Sequence, residues 1–399
     1  MKILFIHNFH RKGSASGDDL VFKNEISLLK AHKHNVISFS VSNDEFDKSG
    51  IFGKFLFFLG MFWSRKYYKK VQFIIKSERP DIVHIHTFFP LLSPSILYAA
   101  KRCSVPVVAT LHDTRFICPC ATSLRQNKIC NECGDGHYFR LFKYGCFKNS
   151  RLLSLIVALV FKYHRLRKSF YKQIDRYICL NDSQINLLEN IGFNKNKIIK
   201  KYNFVIDELP FLQDYYFDYL PSRYVVFFGR IGIEKGIREL MLAWNDLDIP
   251  LVIMGSGPLE DEVKCFSEKN KNILFLGYTE RSKCLSIVKN SDFVVFPSIW
   301  YEGCSMVEIE SMSLSKAIIA TDLGFSSEAI IDGYNGAKFI LGNIESFRKK
   351  ITELWNDPQK SLSMGKNARK EYEEKYSSEK NYEEIMSCYE GVLPWLYQK

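Results

Sequence analysis

Short apolar runs rich in β-branched and aromatic residues alternate along the chain with longer segments whose apolar positions recur every three to four residues. The first pattern suits buried strands and the second amphipathic helices, and their alternation predicts parallel sheets covered by helices on both faces. In the first half the expected strands are 2–9, 35–41, 81–87, 106–112 and 176–180, with helices near 18–32, 55–77, 93–102 and 150–172. The pattern then repeats. Strands are expected at 223–228, 251–254, 273–276, 293–297 and 317–321, separated by helices starting near Lys235, Leu259, Arg281 and Ser305. Between Lys200 and Pro221 it lapses into a Tyr/Asp-rich stretch, and after Pro358 two polar helices are expected. The expected fold is α/β, with two Rossmann-like domains at 1–202 and 203–371 and a helical segment at 372–399 free to pack back on the first domain. Loops at the C-terminal ends of the strands are where such sheets bind ligands, so the chemistry should lie there, in a cleft between the domains.

A length of 399 residues suits two domains that each bury a core. With 46% hydrophobic and 25% charged residues, and only 22 Gly and 12 Pro, disordered and collagenous classes are excluded. The formal charge of +11 favours anionic partners such as a phosphorylated ligand or an acidic membrane face. The N-terminal Met1-Lys2-Ile3-Leu4-Phe5 leads into a strand without the apolar region and cleavage site of a signal peptide, and the 11 Cys are then expected to be reduced, in a cytoplasmic setting. The longest apolar run, Leu152 to Phe161, falls far short of the ~20 residues that span a bilayer.

The segment Tyr301-Glu302-Gly303-Cys304-Ser305-Met306-Val307-Glu308-Ile309-Glu310 follows the expected strand 293–297. Ser305 and Glu308 form a capping-box pattern, so a helix should start there, with Gly303, Cys304, Ser305, Met306 and Val307 offering backbone amides and the positive dipole end to a phosphate. Glu302 precedes that helix and Glu310 lies about a turn inside it. A carboxylate accepts two sugar hydroxyls well, which suits one Glu to a ribose and the other to a transferred sugar. Arg230 and Lys235 follow the strand 223–228, in a loop that opens a helix, and two cations there can neutralise a diphosphate without a metal ion. Gly255-Ser256-Gly257 follows a strand too, but Glu260 stands where a third dinucleotide-binding glycine would be, so the pair reads as a tight turn beside the base or ribose and not as an NAD site.

The Glu302 to Glu310 segment, continued by Ser311-Met312, resembles the Glu, seven residues, Glu signature of retaining GT-B glycosyltransferases of family 4. Phe228-Gly229-Arg230 with Glu234-Lys235-Gly236 is similar to that family's Gly-Arg…Lys-Gly element, Met254-Gly255-Ser256-Gly257-Pro258 to its Gly-x-Gly-Pro turn, and Ser16-Gly17-Asp18-Asp19 to its Gly-Gly-Glu, with Gly17 carrying the assignment and Gly13 as a fallback. Asp81 to His86 with the Phe88-Phe89-Pro90 loop resembles its Asp-Val-Val-His-x-His element. His112, ending the strand 106–112, matches the His that contacts the transferred sugar; His84 is expected to be a satisfied core residue.

The resemblance implies Arg230 and Lys235 at the donor diphosphate, His112 and Glu302 at the transferred sugar, Glu310 at the ribose, and Gly17, Gly229, Gly255 and Gly257 where backbone approaches the donor. The implied reaction moves a sugar, with retention, from a nucleoside-diphosphate sugar to a hydroxyl of a lipid-linked glycan, in surface polysaccharide (O-antigen or capsule type, lipopolysaccharide included) synthesis. No cofactor and no catalytic metal are expected. The alternatives are another GT-B enzyme, such as a sugar-nucleotide epimerase or phosphorylase, or a non-catalytic sugar-nucleotide-binding protein at the membrane. Cys118, Cys120, Cys130, Cys133 and Cys146 are expected to form a reduced structural loop in preference to a zinc site, although Cys130-x-x-Cys133 has ligand spacing. Basic-aromatic stretches at 54–70 and 139–168 suggest peripheral contact with an anionic membrane at the inner face. No nucleic-acid motif accompanies the charge.

Overall fold

In the computed structural model, residues 1–11, 16–47, 51–126, 128–212 and 217–393 are described, the side chains of 47 and 51–56 excepted; Gly13, Lys54, Phe55 and Leu56 thus lie wholly or in their side chains outside the described residues. The chain divides into two units, one made of Met1–Arg125, Cys130–Tyr202 and Asn381 onward, the other of Gln126–Ile129 and Asn203–Lys380. Each is built on a six-stranded sheet.

In the first unit β1 (Lys2–Phe9), β2 (Asn35–Ser42), β3 (Ile82–Ile85), β4 (Val107–Leu111), β5 (Arg176–Cys179) and β6 (Ile198–Lys200) are all parallel and run in the order β2-β1-β3-β4-β5-β6. Ile3 pairs with Val36 on one side and Ile82 on the other, and the central runs are buried on both faces, as a sheet sandwiched between helices requires. The order reverses direction between β1 and β3, so the loops after Phe9 and Ile85 diverge and leave a crevice there. Helix Gly17–Ala31 opens after β1 with Asp18 and Asp19 in its first turn, complementing the dipole, and buries Val21, Phe22, Glu25 and Leu29. The helix expected at 55–77 is instead two, Ile51–Phe62 and Arg65–Glu78, because the Ser64 hydroxyl accepts the Tyr67 N–H and starts the second helix afresh. From Asn381 the last helix also belongs to this unit, where Asn381 donates to the Tyr202 carbonyl at 2.8 Å.

In the second unit β7 (Val225–Phe228), β8 (Leu251–Met254), β9 (Ile273–Gly277), β10 (Phe293–Phe296), β11 (Ile318–Thr321) and β12 (Gly336–Phe339) run in the order β9-β8-β7-β10-β11-β12, again all parallel. The reversal falls between β7 and β10, whose following loops carry Gly229-Arg230 and Ser298 to Ser305. This unit continues through helix Pro358–Glu371 to Lys380: Tyr372 and Tyr376 are buried, and the Tyr372 hydroxyl donates to the Val205 carbonyl at 2.9 Å. No described helix is long and apolar enough to cross a membrane.

Candidate functional site

The second unit gathers most of the expected donor residues at its β7/β10 switch point. Gly229 continues straight from β7, and a Cβ added to it would stand 3.4 Å from Val307 in the first turn of helix Met306–Ser313. The next strand end is pressed equally close. Gly255, at φ +140°, has its amide bonded to the Gly277 carbonyl at 2.8 Å, and a Cβ there would lie 1.8 Å from the Gly229 carbonyl oxygen, so no other residue fits. Gly257 passes over the Ile231 backbone in the same turn.

Lys235 and Glu302, distant in sequence, meet here. The Lys235 ammonium is 2.6 Å from Glu302 Oε1, which also accepts the Ser298 hydroxyl at 2.7 Å, while the ammonium sits 5.4 Å from the centroids of both Phe296 and Trp300. Both side chains are largely buried, so the pair is held rigidly and its strength is little diluted by water. Arg230 is half exposed and, among the described residues, its ion pair is with Glu234 at 3.4 Å, which leaves much of the guanidinium fork open. It can therefore bind an anion without first giving up a strong partner.

Ser305 caps helix Met306–Ser313, accepting the Glu308 N–H at 3.3 Å. The reciprocal half of the expected capping box does not form. Glu308 turns inward, is fully buried, and among the described residues neither carboxyl oxygen has a hydrogen-bond donor in bonding geometry. Burial, reinforced by the nearby Glu302 charge and only partly offset by the Ser326 and Ser305 hydroxyls and Lys235, pushes this carboxyl up to about 8, so it is protonated at neutral pH. Glu310 is buried as well but is held by Arg281, Nη1 to Oε1 at 2.5 Å, while Arg281 also reaches Glu208 at 2.8 Å. Burial raises the Glu310 carboxyl and the Arg281 charge opposes that rise. Gly303 and Cys304 lead into the helix, and the Cys304 carbonyl accepts from Asn203 at 3.5 Å.

In the first unit, Gly17 begins helix Gly17–Ala31, and His112 follows β4. The His112 imidazole, partly buried, has Nε2 2.9 Å from His86 Nδ1. His86 Nε2 lies 3.2 Å from Glu25 Oε2, and Glu25 Oε1 takes the Lys201 ammonium at 2.6 Å. Burial, with the charge of His86 adding to it, pulls His112 down to about 3 against the opposing pull of Asp18. Burial would raise Asp18, but His112, His10 and the Ser16 hydroxyl outweigh it and hold this carboxyl low. Next to His112 is a small pocket of about 30 Å³, also lined by His86, Asp113, Arg115 and Phe116, with room for about one water. His84 is a core residue, its nitrogens bonded to the Tyr389 hydroxyl at 2.7 Å and the Thr110 hydroxyl at 2.8 Å.

Sequence reasoning missed Glu25, Lys201 and Arg281. Glu25 could have been found as a charge on the apolar stripe Val21, Phe22, Leu29, which asks for a buried partner. Among the described residues the group with three metal-ligating atoms close together is Glu25, His84 and His86. It does not suit a cation, because Lys201 already supplies a positive charge and His84 has both nitrogens engaged. All of the Cys loop residues are free thiols. The Cys118 thiol is pulled down to about 6 by its hydrogen bond with Cys120, and burial pushes Cys133 up to about 12.

Residues 218–371 match the family of glycosyl transferases group 1, and residues 24–209 match glycosyltransferase family 4. An uncharacterized glycosyltransferase of Methanocaldococcus jannaschii is 30% identical over 338 residues, which is 84% of this chain and 82% of that protein. The capsular polysaccharide biosynthesis glycosyltransferase CapM of Staphylococcus aureus is 27% identical over 228 residues, 55% of this chain and 59% of CapM, so this chain spans less than two thirds of its length. Among solved structures, Anabaena HepE in complex with UDP-glucose superposes with a TM-score of 0.63 at 16% identity, covering 97% of this chain and 98% of that one. At that identity the likeness speaks for the fold alone.

Proposed function

The chain belongs to the family 4, group 1 glycosyltransferases, with the GT-B fold, and from that premise we propose that it transfers a sugar, with retention, from a nucleoside-diphosphate sugar to a hydroxyl of a lipid-linked glycan in surface polysaccharide synthesis of capsule or O-antigen type. The observation that carries this reading is the set of cations and amides at the β7/β10 switch point: Arg230 half exposed, Lys235 braced by Glu302, and the capped start of helix Met306–Ser313. These groups suit a departing diphosphate, whose charge grows as the glycosidic bond breaks. Glu310, with Arg281 at its side, is assigned to the ribose, and Glu302 and His112 to the transferred sugar. Gly17 is assigned to the donor on the resemblance. Transfer is assigned no metal, since two cations and a helix start can stabilise the leaving group. CapM supports a capsular setting, and HepE with UDP-glucose supports a nucleotide-sugar donor.

Membrane contact rests on the first unit's exposed apolar residues. Leu152, Leu159 and Leu166 recur at heptad spacing on helix Arg151–Leu166, more than half exposed, and Phe139 and Phe73 are equally open. Lys162, Arg167 and Lys168 are exposed on or just beyond the same helix, a composition suited to an anionic leaflet. Purified protein is given a panel of nucleotide sugars. Slow acceptor-independent release of nucleoside diphosphate from one donor supports a transferase, and NMR of the product with an acceptor reads retention directly. Binding of a nucleotide sugar with no release from any donor would favour the non-catalytic alternative.

A further inference from the structure

We propose that Arg281, anchored by Glu208, is a positioning residue that turns the Glu310 carboxyl so that Oε2 meets the ribose of the donor, and that this contact makes the protein prefer a ribonucleoside diphosphate to its deoxyribonucleoside counterpart. The proposal rests on the assignment of Glu310 to the ribose and specifies what holds that group in place and what it selects.

Arg281 is the first residue of helix Arg281–Asn290, just beyond β9. A cation there faces the positive end of the helix dipole, a place that disfavours it, and two carboxylates from elsewhere in the unit offset that cost. Nε at 2.9 Å and Nη2 at 2.8 Å both meet Glu208 Oε1, while Nη1 meets Glu310 Oε1 at 2.5 Å. A guanidinium is planar and rigid, so holding one edge of it on Glu208 fixes where Nη1 points. Glu208 is itself in a fastened segment. Its neighbour Asp207 pairs with Arg369 through both oxygens, at 2.9 and 2.5 Å, and the Val205 carbonyl accepts the Tyr372 hydroxyl at 2.9 Å. A segment distant from Glu310 in sequence thereby holds the guanidinium that holds Glu310.

Glu310 Oε1 is thus committed to Arg281. Oε2 has no hydrogen-bond partner among the described residues, and unlike both oxygens of Glu308 it is not sealed from solvent, so it is the oxygen left for a ligand. The arrangement is the same whether or not Glu310 carries a proton. A guanidinium has donors only, so Oε1 accepts in either form, and a ribose hydroxyl can donate to Oε2 or accept from it. The Glu310 side chain is only 9% exposed, so a ligand lacking that hydroxyl would cover Oε2 and leave it without a partner. Sites built to bond a hydroxyl reject the analogue without it for this reason. A carboxyl free to turn would select less sharply, because part of the energy of the new bond would go into ordering it. Arg281 is itself 42% exposed, and the competing reading is that its guanidinium touches the diphosphate or base directly. That contact would not depend on the ribose hydroxyls.

The test titrates the full-length protein calorimetrically with UDP, GDP, ADP and CDP, and then with the 2′-deoxy and 3′-deoxy forms of whichever binds. Wild type should bind the ribonucleotide roughly 10-fold to 100-fold more tightly than at least one deoxy form, the scale for leaving a largely buried acceptor without its partner. Arg281→Gln should remove most of that ratio by weakening the ribonucleotide alone, with the deoxy form bound as before. Adding Arg281→Met to Glu310→Gln should change the ratio no further, since a positioning residue acts through the group it positions. Glu208→Gln, at a partly exposed position, leaves Arg281 on Glu310 and should give a smaller fall in the ratio, which keeps the test decisive if Arg281→Gln does not fold. Equal weakening of ribo and deoxy forms in Arg281→Gln, or a ratio that Arg281→Gln and Glu208→Gln leave intact, overturns the proposal while the nucleotide-sugar reading stands. Equal binding of all three forms by wild type overturns it too. If none of the four nucleotides binds, the nucleotide-sugar reading fails and the proposal falls with it.

Discussion

Glu308→Gln is the substitution whose effect the structure sizes most directly. The Glu308 carboxyl is raised from the ordinary value of 4.5 to about 8, so between those limits the folded protein holds a proton that the unfolded chain releases. Stability must fall as pH rises wherever the folded state binds more protons. At about 1.4 kcal/mol per pH unit the span amounts to on the order of 4–5 kcal/mol, with roughly 3 kcal/mol already lost by pH 7. This contribution is fully present below pH 4.5 and is lost on passing through 8. Gln keeps the size and polarity and cannot ionise, so any packing cost it carries is a constant offset. Urea titrations of both proteins between pH 5 and 8.5 should therefore show the stability difference moving steadily in favour of Gln as pH rises. Parallel stability profiles would refute the reasoning and mean that Glu308 ionises in the fold much as it does in water. Two curves that diverge in the opposite sense would mean the carboxylate is actively held, by Lys235 or Ser326.

Lys235→Met should lower kcat by on the order of 10²–10³ if the ammonium stabilises the leaving group, and it should destabilise the fold as well because Glu302 is left buried; adding Glu302→Gln should restore most of the stability and none of the rate, read by melting and steady-state kinetics. Glu310→Gln should chiefly raise donor KM, because a ribose contact persists in ground and transition states alike, whereas Glu302→Gln should chiefly lower kcat; the reverse split would exchange their roles. Leu152→Ser, Leu159→Ser and Leu166→Ser together should weaken binding to anionic vesicles at low salt without lowering the melting temperature, since these side chains are already exposed. EDTA should leave turnover and stability unchanged, and near-stoichiometric zinc in protein purified without added metal would instead assign Cys118 to Cys146 as a zinc site.

The strands buried on both faces were legible because a central parallel strand must be apolar at every position, and Val225–Phe228 and Phe293–Phe296 meet that demand. Two of the four sheet-edge strands were not. Ile198–Lys200 is three residues long with its lysine exposed, and Gly336–Phe339 begins at a glycine whose Cβ would clash with the Ile318 carbonyl, so neither carries the signal of its central neighbours. Local motifs placed Arg230, Lys235, Glu302 and Glu310 near strand ends. Their partners could not be read in the same way, because Glu302 with Lys235, Glu310 with Arg281 and Glu25 with Lys201 are joined by topology and not by spacing.

Glu302, Glu308 and Glu310 show why spacing alone under-determines chemistry. They lie within one short segment, all at most 7% exposed, and spacing distinguishes them only by giving Glu308 to a capping box. Glu302 has a lysine and a serine, Glu310 has an arginine, and Glu308 has no donor in bonding geometry among the described residues. A carboxyl paired with a cation is fixed in place, as Glu302 is by Lys235 and Glu310 by Arg281, whose charge opposes the rise that burial causes in Glu310. A carboxyl left to desolvation takes up a proton. The pattern that began as a capping box therefore separates two cation-paired acids from one buried carboxyl that takes up a proton. The separation is made by Lys235 and Arg281, which arrive from loops after β7 and β9.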